Sequence, residues 1–196
     1  MTPRQGHDGI ILASASPRRA ALLDQLGVSY RVIVSNLEER VLPGEGADDF
    51  VRRMAREKAL EVLQREASVL PVLGADTAVV LDGHILGKPA DRAEAEFMLA
   101  SLSGRTHEVY SAVALASGES MVADALNITR VTFDRLEADW IRRYCDTGDP
   151  MDKAGAYGVQ GKAGEKISRI EGSFYGVMGL PLFETAQLLA RAEVLF

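Results

Sequence analysis

Cysteine is nearly absent: the chain of 196 residues has one, Cys145. A single thiol excludes an internal disulfide framework and suits a reducing compartment, so a cytoplasmic protein is expected. The three histidines, His7, His84 and His107, are scattered, which excludes a structural zinc site built from Cys and His. No apolar run approaches the ~20 residues of a membrane span. Residues 1–8 carry Arg4 but no following apolar stretch of secretory type. Neither a membrane nor a leader is therefore expected. Positive charge is in deficit, 22 Lys and Arg against 28 Asp and Glu, for a net charge of −6. That balance argues against nucleic acid as a partner held on a broad basic face, while leaving room for a small cationic pocket in an acidic body. Internal repeats, low-complexity segments and long linkers are also missing. What remains is 47% apolar and 26% charged, the make-up of an ordinary globular domain.

Strand and helix patterns alternate along the chain. The apolar run Ile10-Ile11-Leu12-Ala13 reads as a buried strand. Ser16 fits an N-cap, Pro17 the first helical position and Gly27 the C-terminal turn of a helix whose stripe is Leu22, Leu23 and Leu26. Residues 30–34 read as a second strand. A helix is predicted from Asp48 or Asp49 to about Glu66, with Val51, Met54, Ala55, Lys58 and Val62 on its inner face. Residues 69–75 read as an apolar strand that delivers Asp76 at its end. Residues 77–81 and 84–86 then form a hairpin around Asp82-Gly83. Asp91 and Glu94 open another helix, and two long strands follow, about 107–116 and 122–133, joined near Gly118. A helix over 136–145, a loop with five glycines over 148–165, a strand over 166–170 and a helix over 181–194 complete the chain. The expected class is α/β with a mixed central sheet and flanking helices, because hairpins interrupt the crossover units.

Chemistry concentrates in five places. In Ser14-Ala15-Ser16-Pro17-Arg18-Arg19 a strand turns into a helix whose free N–H groups and dipole attract anions. Two arginines in that first turn suit a phosphate, which guanidinium grips through paired hydrogen bonds. A salt-bridged surface pair fits the same residues. Lys58 within an apolar stripe is either a snorkelling side chain or a cation aimed into a cleft. Asp76, in Gly74-Ala75-Asp76-Thr77, is suited to hold a hard cation, to accept a proton from water, or to cap a turn. Lys88, stiffened by Pro89, projects from a turn as a site cation or a solvated one. The loop Asp152-Lys153-Ala154-Gly155-Ala156-Tyr157-Gly158-Val159-Gln160-Gly161 lacks the spacing of a Walker A loop. Its glycines read as permitting close approach of backbone to a ligand, and the Gln160 amide suits a base edge.

Taken in order, these motifs, with Leu102-Ser103-Gly104-Arg105-Thr106-His107, Ile170-Glu171-Gly172-Ser173 and Gly179-Leu180-Pro181-Leu182, resemble the Maf family of nucleoside triphosphate pyrophosphatases. The resemblance runs from about Ile10 to Leu189. It implies one domain over 10–196, preceded by an extension at 1–9 that matches nothing in the pattern. It also implies an inosine-triphosphatase-like fold with two lobes around a nucleotide-binding cleft, and a family name that refers to septum formation. The long loop ending in Gln160 is similar to the subgroup acting on dTTP and UTP. The subgroup acting on 7-methyl-GTP, the alternative, has a loop with Ser and Glu. A nucleotide-binding regulator of division without turnover is a second alternative. By resemblance, Ser14, Arg18, Arg19, Thr77 and Gln160 bind substrate, and Arg18, Thr77 and Gln160 set its choice. Asp76, Glu39, Lys58 and Lys88 line the catalytic centre. Glu39 and Asp76 are implied to share Mg²⁺ or Mn²⁺, with the division between base and metal ligand left open. The implied partner is a small-molecule nucleoside triphosphate. A homodimer is compatible with the same reading.

Overall fold

The apolar runs pair into one seven-stranded mixed sheet in a computed structural model that describes residues 9–118 and 120–194. Apart from Gly9, the extension expected at 1–9 lies outside the described residues. Strands β1 (Ile10–Leu12), β2 (Tyr30–Val32) and β3 (Val72–Leu81) form a parallel half. Strands β4 (His84–Leu86), β5 (Thr106–Ser117), β6 (Ser120–Phe133) and β7 (Ile167–Glu171) pair antiparallel. The order is β2-β1-β3-β5-β6-β7, with β4 against the far end of β3. The helices are α1 (Pro17–Leu26), α2 (Ala47–Arg65), α3 (Arg92–Leu102), α4 (Ala138–Asp146), α5 (Phe174–Met178) and α6 (Leu182–Arg191). Among the described residues no helix is long and apolar enough to cross a membrane.

Most expected elements are present, and the exceptions are informative. The strand predicted over 69–75 starts only at Val72, and Val69 is 86% exposed. More important, it does not stop before Asp76. Strand β3 continues to Leu81 because β5 pairs with it in register from Val72↔Ala116 to Val80↔Glu108. Cross-strand pairing over that length outweighs the poor strand preference of one aspartate. Asp76 is therefore a mid-strand residue and not one at a strand end. Strand β2 is also shorter than expected, and the single-turn helix α5 was not foreseen.

A gap in the sheet positions the cleft. On one edge, β3 pairs with β1 only at Val72 and Leu73, and with β4 only from Val79 onward. Among the described residues no strand lies beside 74–78 on that edge. The period of two then sends alternate side chains to opposite faces. Leu73 and Ala75 pack toward α1 and α6, whereas Val72 and Ala78 pack toward α2. Gly74 lets α2 lie close: a Cβ there would sit 2.1 Å from the Ala55 carbonyl oxygen and 2.8 Å from Ala59 N. Alanines 78, 112 and 114 complete this shallow bed. The result is a helix pressed so near β3 that Lys58 reaches the strand.

Candidate active site

Lys58 sits on the buried stripe of α2, as its spacing predicts, and does not snorkel to water. Its Nζ lies 2.6 Å from Asp76 Oδ1 and 2.6 Å from Glu39 Oε1. Lys58 and Asp76 side chains are each only 7% exposed. Glu39 extends the chain outward, accepting from Lys88 Nζ through Oε2 at 3.2 Å. Four charges thus alternate from the core to the mouth of the cleft: Asp76, Lys58, Glu39, Lys88. Burial pushes the Asp76 carboxyl above its usual range, although Lys58 and Arg19 pull it back. Burial also acts on Glu39, but Lys58 and Lys88 together outweigh it and hold the carboxyl at about 2. The two acids are therefore unlike: one is buried and easier to protonate, the other is partly exposed and firmly ionised.

On the opposite face of β3 the chemistry is made of hydrogen bonds. Ser16 occupies the N-cap position of α1 but makes no side-chain cap, so the first turn lines the cleft with its N–H groups uncapped. Ser14 Oγ instead accepts from Ser16 N at 3.2 Å and from Arg19 Nη1 at 3.0 Å. Arg19 turns inward. Its Nε donates to the Gly179 carbonyl at 2.8 Å, Nη1 donates to the Ala75 carbonyl at 2.9 Å, and Nη2 reaches Thr77 Oγ1 at 3.4 Å. Four of its five N–H groups are thereby engaged within the chain. Burial lowers its guanidinium from the usual range, while Asp76 and Glu39 support its charge. Gly179, at φ 113, holds its carbonyl on Arg19 where a Cβ would meet Arg19 Nε at 3.5 Å.

Arg18 points across the opening. Its Nη1 is 3.3 Å from Asp152 Oδ2, so it pairs with the glycine-rich segment opposite. That segment, residues 149–161, is three short turns held by Lys153, whose Nζ donates to the Asp149 carbonyl, Asp149 Oδ1 and Asp152 Oδ1. The packing of this segment itself calls for glycine, and Gly158 and Gly161 also line the cleft. A Cβ at Gly158 would lie 2.8 Å from Lys153 Cε, and one at Gly155 would lie 2.9 Å from the Val79 side chain. Tyr157, buried, bonds His107 Nε2 through its hydroxyl at 2.7 Å and ties the segment to β5. Gln160 ends exposed on the cleft rim, its amide without a hydrogen bond to the described residues.

The structure brings all nine predicted site residues to one cleft of about 630 Å³: Ser14, Arg18, Arg19, Glu39, Lys58, Asp76, Thr77, Lys88 and Gln160. That volume suits a single nucleotide-sized ligand. The sequence reading named Asp152 within its loop without its pairing to Arg18, and it missed Ser111, which lies behind Thr77. A serine inside the apolar alternation Val109, Ser111, Val113 was a signal that could have found Ser111.

The chain matches the model of the family described as "Maf-like protein" over residues 9–192. It is 54% identical over 186 residues to a protein of Methylobacillus flagellatus named dTTP/UTP pyrophosphatase, covering 94% of this chain and 93% of that one. A Bordetella avium protein of the same name is 52% identical over 193 residues, covering 94% and 96%. Among solved structures, a HAM1 protein from Coxiella burnetii aligns with a TM-score of 0.44 and 20% identity over 66% of this chain and 75% of that one.

Proposed function

Because the chain belongs to the Maf family, we propose that it is a dTTP/UTP pyrophosphatase, hydrolysing these nucleotides to the monophosphate and pyrophosphate. The observation that carries the reading is the alternating series Asp76, Lys58, Glu39, Lys88, opening onto the arginines of the α1 turn. A triphosphate brings roughly four negative charges, so catalysis is mainly positioning and charge neutralisation. Arg18, Lys88 and the uncapped first turn of α1 supply fixed positive ends for the phosphates. Arg19, nearly saturated by its own chain, holds the turn in place and leaves one N–H for a ligand.

The carboxylates fit a hard divalent cation. Oxygens of Glu39 and Asp76 already converge on one cationic atom, Lys58 Nζ, each at 2.6 Å. Among the described residues there is no group of three or more His, Cys, Asp or Glu placed to hold a metal. Two carboxylates completed by substrate phosphates match Mg²⁺ or Mn²⁺, which take one or two carboxylates in nucleotide sites. When bound, the cation supplies charge neutralisation and a more acidic water. Asp76, the deeper acid, then accepts the proton of the attacking water. Glu39, held ionised, keeps Lys58 and Lys88 in place. Base choice falls to Gln160 and Thr77 on the other side of β3. An amide offers an acceptor and a donor to the carbonyl and N–H of a uracil-type edge. The one cysteine, buried and unpaired, supports a reducing cytoplasmic setting.

The test is pyrophosphate release from dTTP, UTP, CTP and 7-methyl-GTP with Mg²⁺, for the wild type and Gln160→Ala. The expected result is that dTTP and UTP lead and that Gln160→Ala erodes their lead. If 7-methyl-GTP is the best substrate, the reading is wrong. If Gln160→Ala slows all four equally, Gln160 is scaffold and base choice lies elsewhere.

A further inference from the structure

Thr77 and Ser111 are direct partners across β3 and β5, and their hydroxyl oxygens lie 2.9 Å apart. Either could donate on distance alone, but their surroundings decide. Ser111 is fully buried, and Thr77 Oγ1 is the only hydrogen-bond partner of its hydroxyl among the described residues. If Thr77 donated to it, the Ser111 proton would be buried with no acceptor, an arrangement folded chains avoid. Ser111 therefore donates and Thr77 accepts. Arg19 Nη2, which has only protons to offer, approaches the same Thr77 oxygen at 3.4 Å. With one neighbour donating from behind and a second from the side, the acceptor capacity of Thr77 is filled. Its own proton is left for the cleft, which Thr77 lines.

We propose that Ser111 is a positioning residue for substrate choice: it locks the Thr77 hydroxyl as a donor toward the base, so the site accepts a ring carbonyl and rejects a ring amino group. This deepens the proposed function and rests on its placing Thr77 against the base edge. Uracil and thymine present a carbonyl where cytosine presents an amino group, which itself only donates at that edge. Two donors facing each other leave both unpaired, and sites built on hydrogen bonds discriminate strongly on that ground. The serine never touches substrate. It acts by removing the freedom of a hydroxyl to turn round.

The experiment measures kcat and KM for UTP and CTP with the wild type, Ser111→Ala, Ser111→Thr and Thr77→Val, alongside thermal stability. In Ser111→Ala the Thr77 oxygen loses the donor behind it, so the hydroxyl is free to turn and to accept from an amino group. The preference for UTP over CTP should fall by about tenfold or more, chiefly through a lower KM for CTP. Ser111→Thr restores a buried donor and should restore the preference, which a loss of packing alone would not explain. An unchanged UTP to CTP preference in Ser111→Ala, with Thr77→Val collapsing it, overturns the role of Ser111 and leaves the proposed function intact. An unchanged preference in Thr77→Val overturns the placing of Thr77 at the base, and the inference with it. Equal loss for UTP and CTP in Ser111→Ala also overturns it, since Thr77 would then face a group common to both. A wild type with no preference for UTP or dTTP removes the proposed function itself.

Discussion

The two faces of β3 at the gap are built on different physics. Toward α2, Asp76 is buried against Lys58 in a series of full charges held at 2.6 to 3.2 Å. Toward α1 and α5, Thr77 is set among neutral acceptors and donors around a single guanidinium, with Ser111 behind it. Adjacent residues in a strand point apart, so two successive positions present charge on one face and neutral hydrogen-bonding groups on the other. The lesson is that the gap, not a strand end, makes the cleft: it leaves the edge of β3 open between β1 and β4, with both faces within reach of it.

That separation can be broken from either side. Asp76→Asn keeps the shape and removes the proton acceptor, so turnover should fall by ~100-fold or more. The ratio of rates for UTP and CTP should hold, since the substitution leaves the Thr77 face untouched. A selective loss in steady-state kinetics would show that the faces are not independent. Near-normal turnover would remove Asp76 from the mechanism.

Acid should separate the faces next. His107, on the Thr77 side of β5 and 2% exposed, has its imidazole pushed down to about 4 by burial. In the unfolded chain it titrates near 6.5. Between those values the unfolded chain binds more protons, so this contribution is full above pH ~6.5 and lost as pH falls through the window. Denaturant melts should show up to about 3 kcal/mol lost from pH 7 to below about 4 on this account. His107→Gln should flatten that slope. Glu39 remains ionised throughout, down to about 2. A slope that survives in His107→Gln assigns the acid sensitivity to other groups.

The smallest of these effects belongs to neither face. Arg18→Ala should weaken triphosphate binding by about 1.5–3 kcal/mol whatever the base, the range for a charge-assisted hydrogen bond. Stability should barely change, because the pair with Asp152 is solvent-exposed, the side chains being 32% and 65% accessible. Titration calorimetry with a non-hydrolysed analogue measures the first and a thermal melt the second. Normal binding together with easy unfolding would make Arg18 a structural residue.

The legible parts of the site were those written locally. The turn at Ser14 to Arg19 announced itself through cap and proline chemistry, and Lys58 through its place in an apolar stripe. The extent of β3 was illegible because Asp76-Thr77 breaks the apolar pattern, and only β5, some 30 residues on, restores it. The inward turn of Arg19 was hidden for the same reason. Its acceptors come from β3 and from the end of α5, which no window of sequence joins. The loop glycines were legible as special, but the packing that calls for them was not. What fills their missing Cβ positions is Lys153 and Val79, contacts that exist only once the segment has folded back.

An unpaired strand edge is also a template on which a foreign strand can add itself, and natural sheets guard such edges. At residues 74–78 the guard is Arg19, whose Nη1 takes the Ala75 carbonyl at 2.9 Å where a neighbouring strand would otherwise offer its N–H. A guanidinium in that place satisfies the backbone without lengthening the sheet. The open edge is thereby made a poorer template for another polypeptide, and one side chain serves both the turn before α1 and the bare backbone of β3.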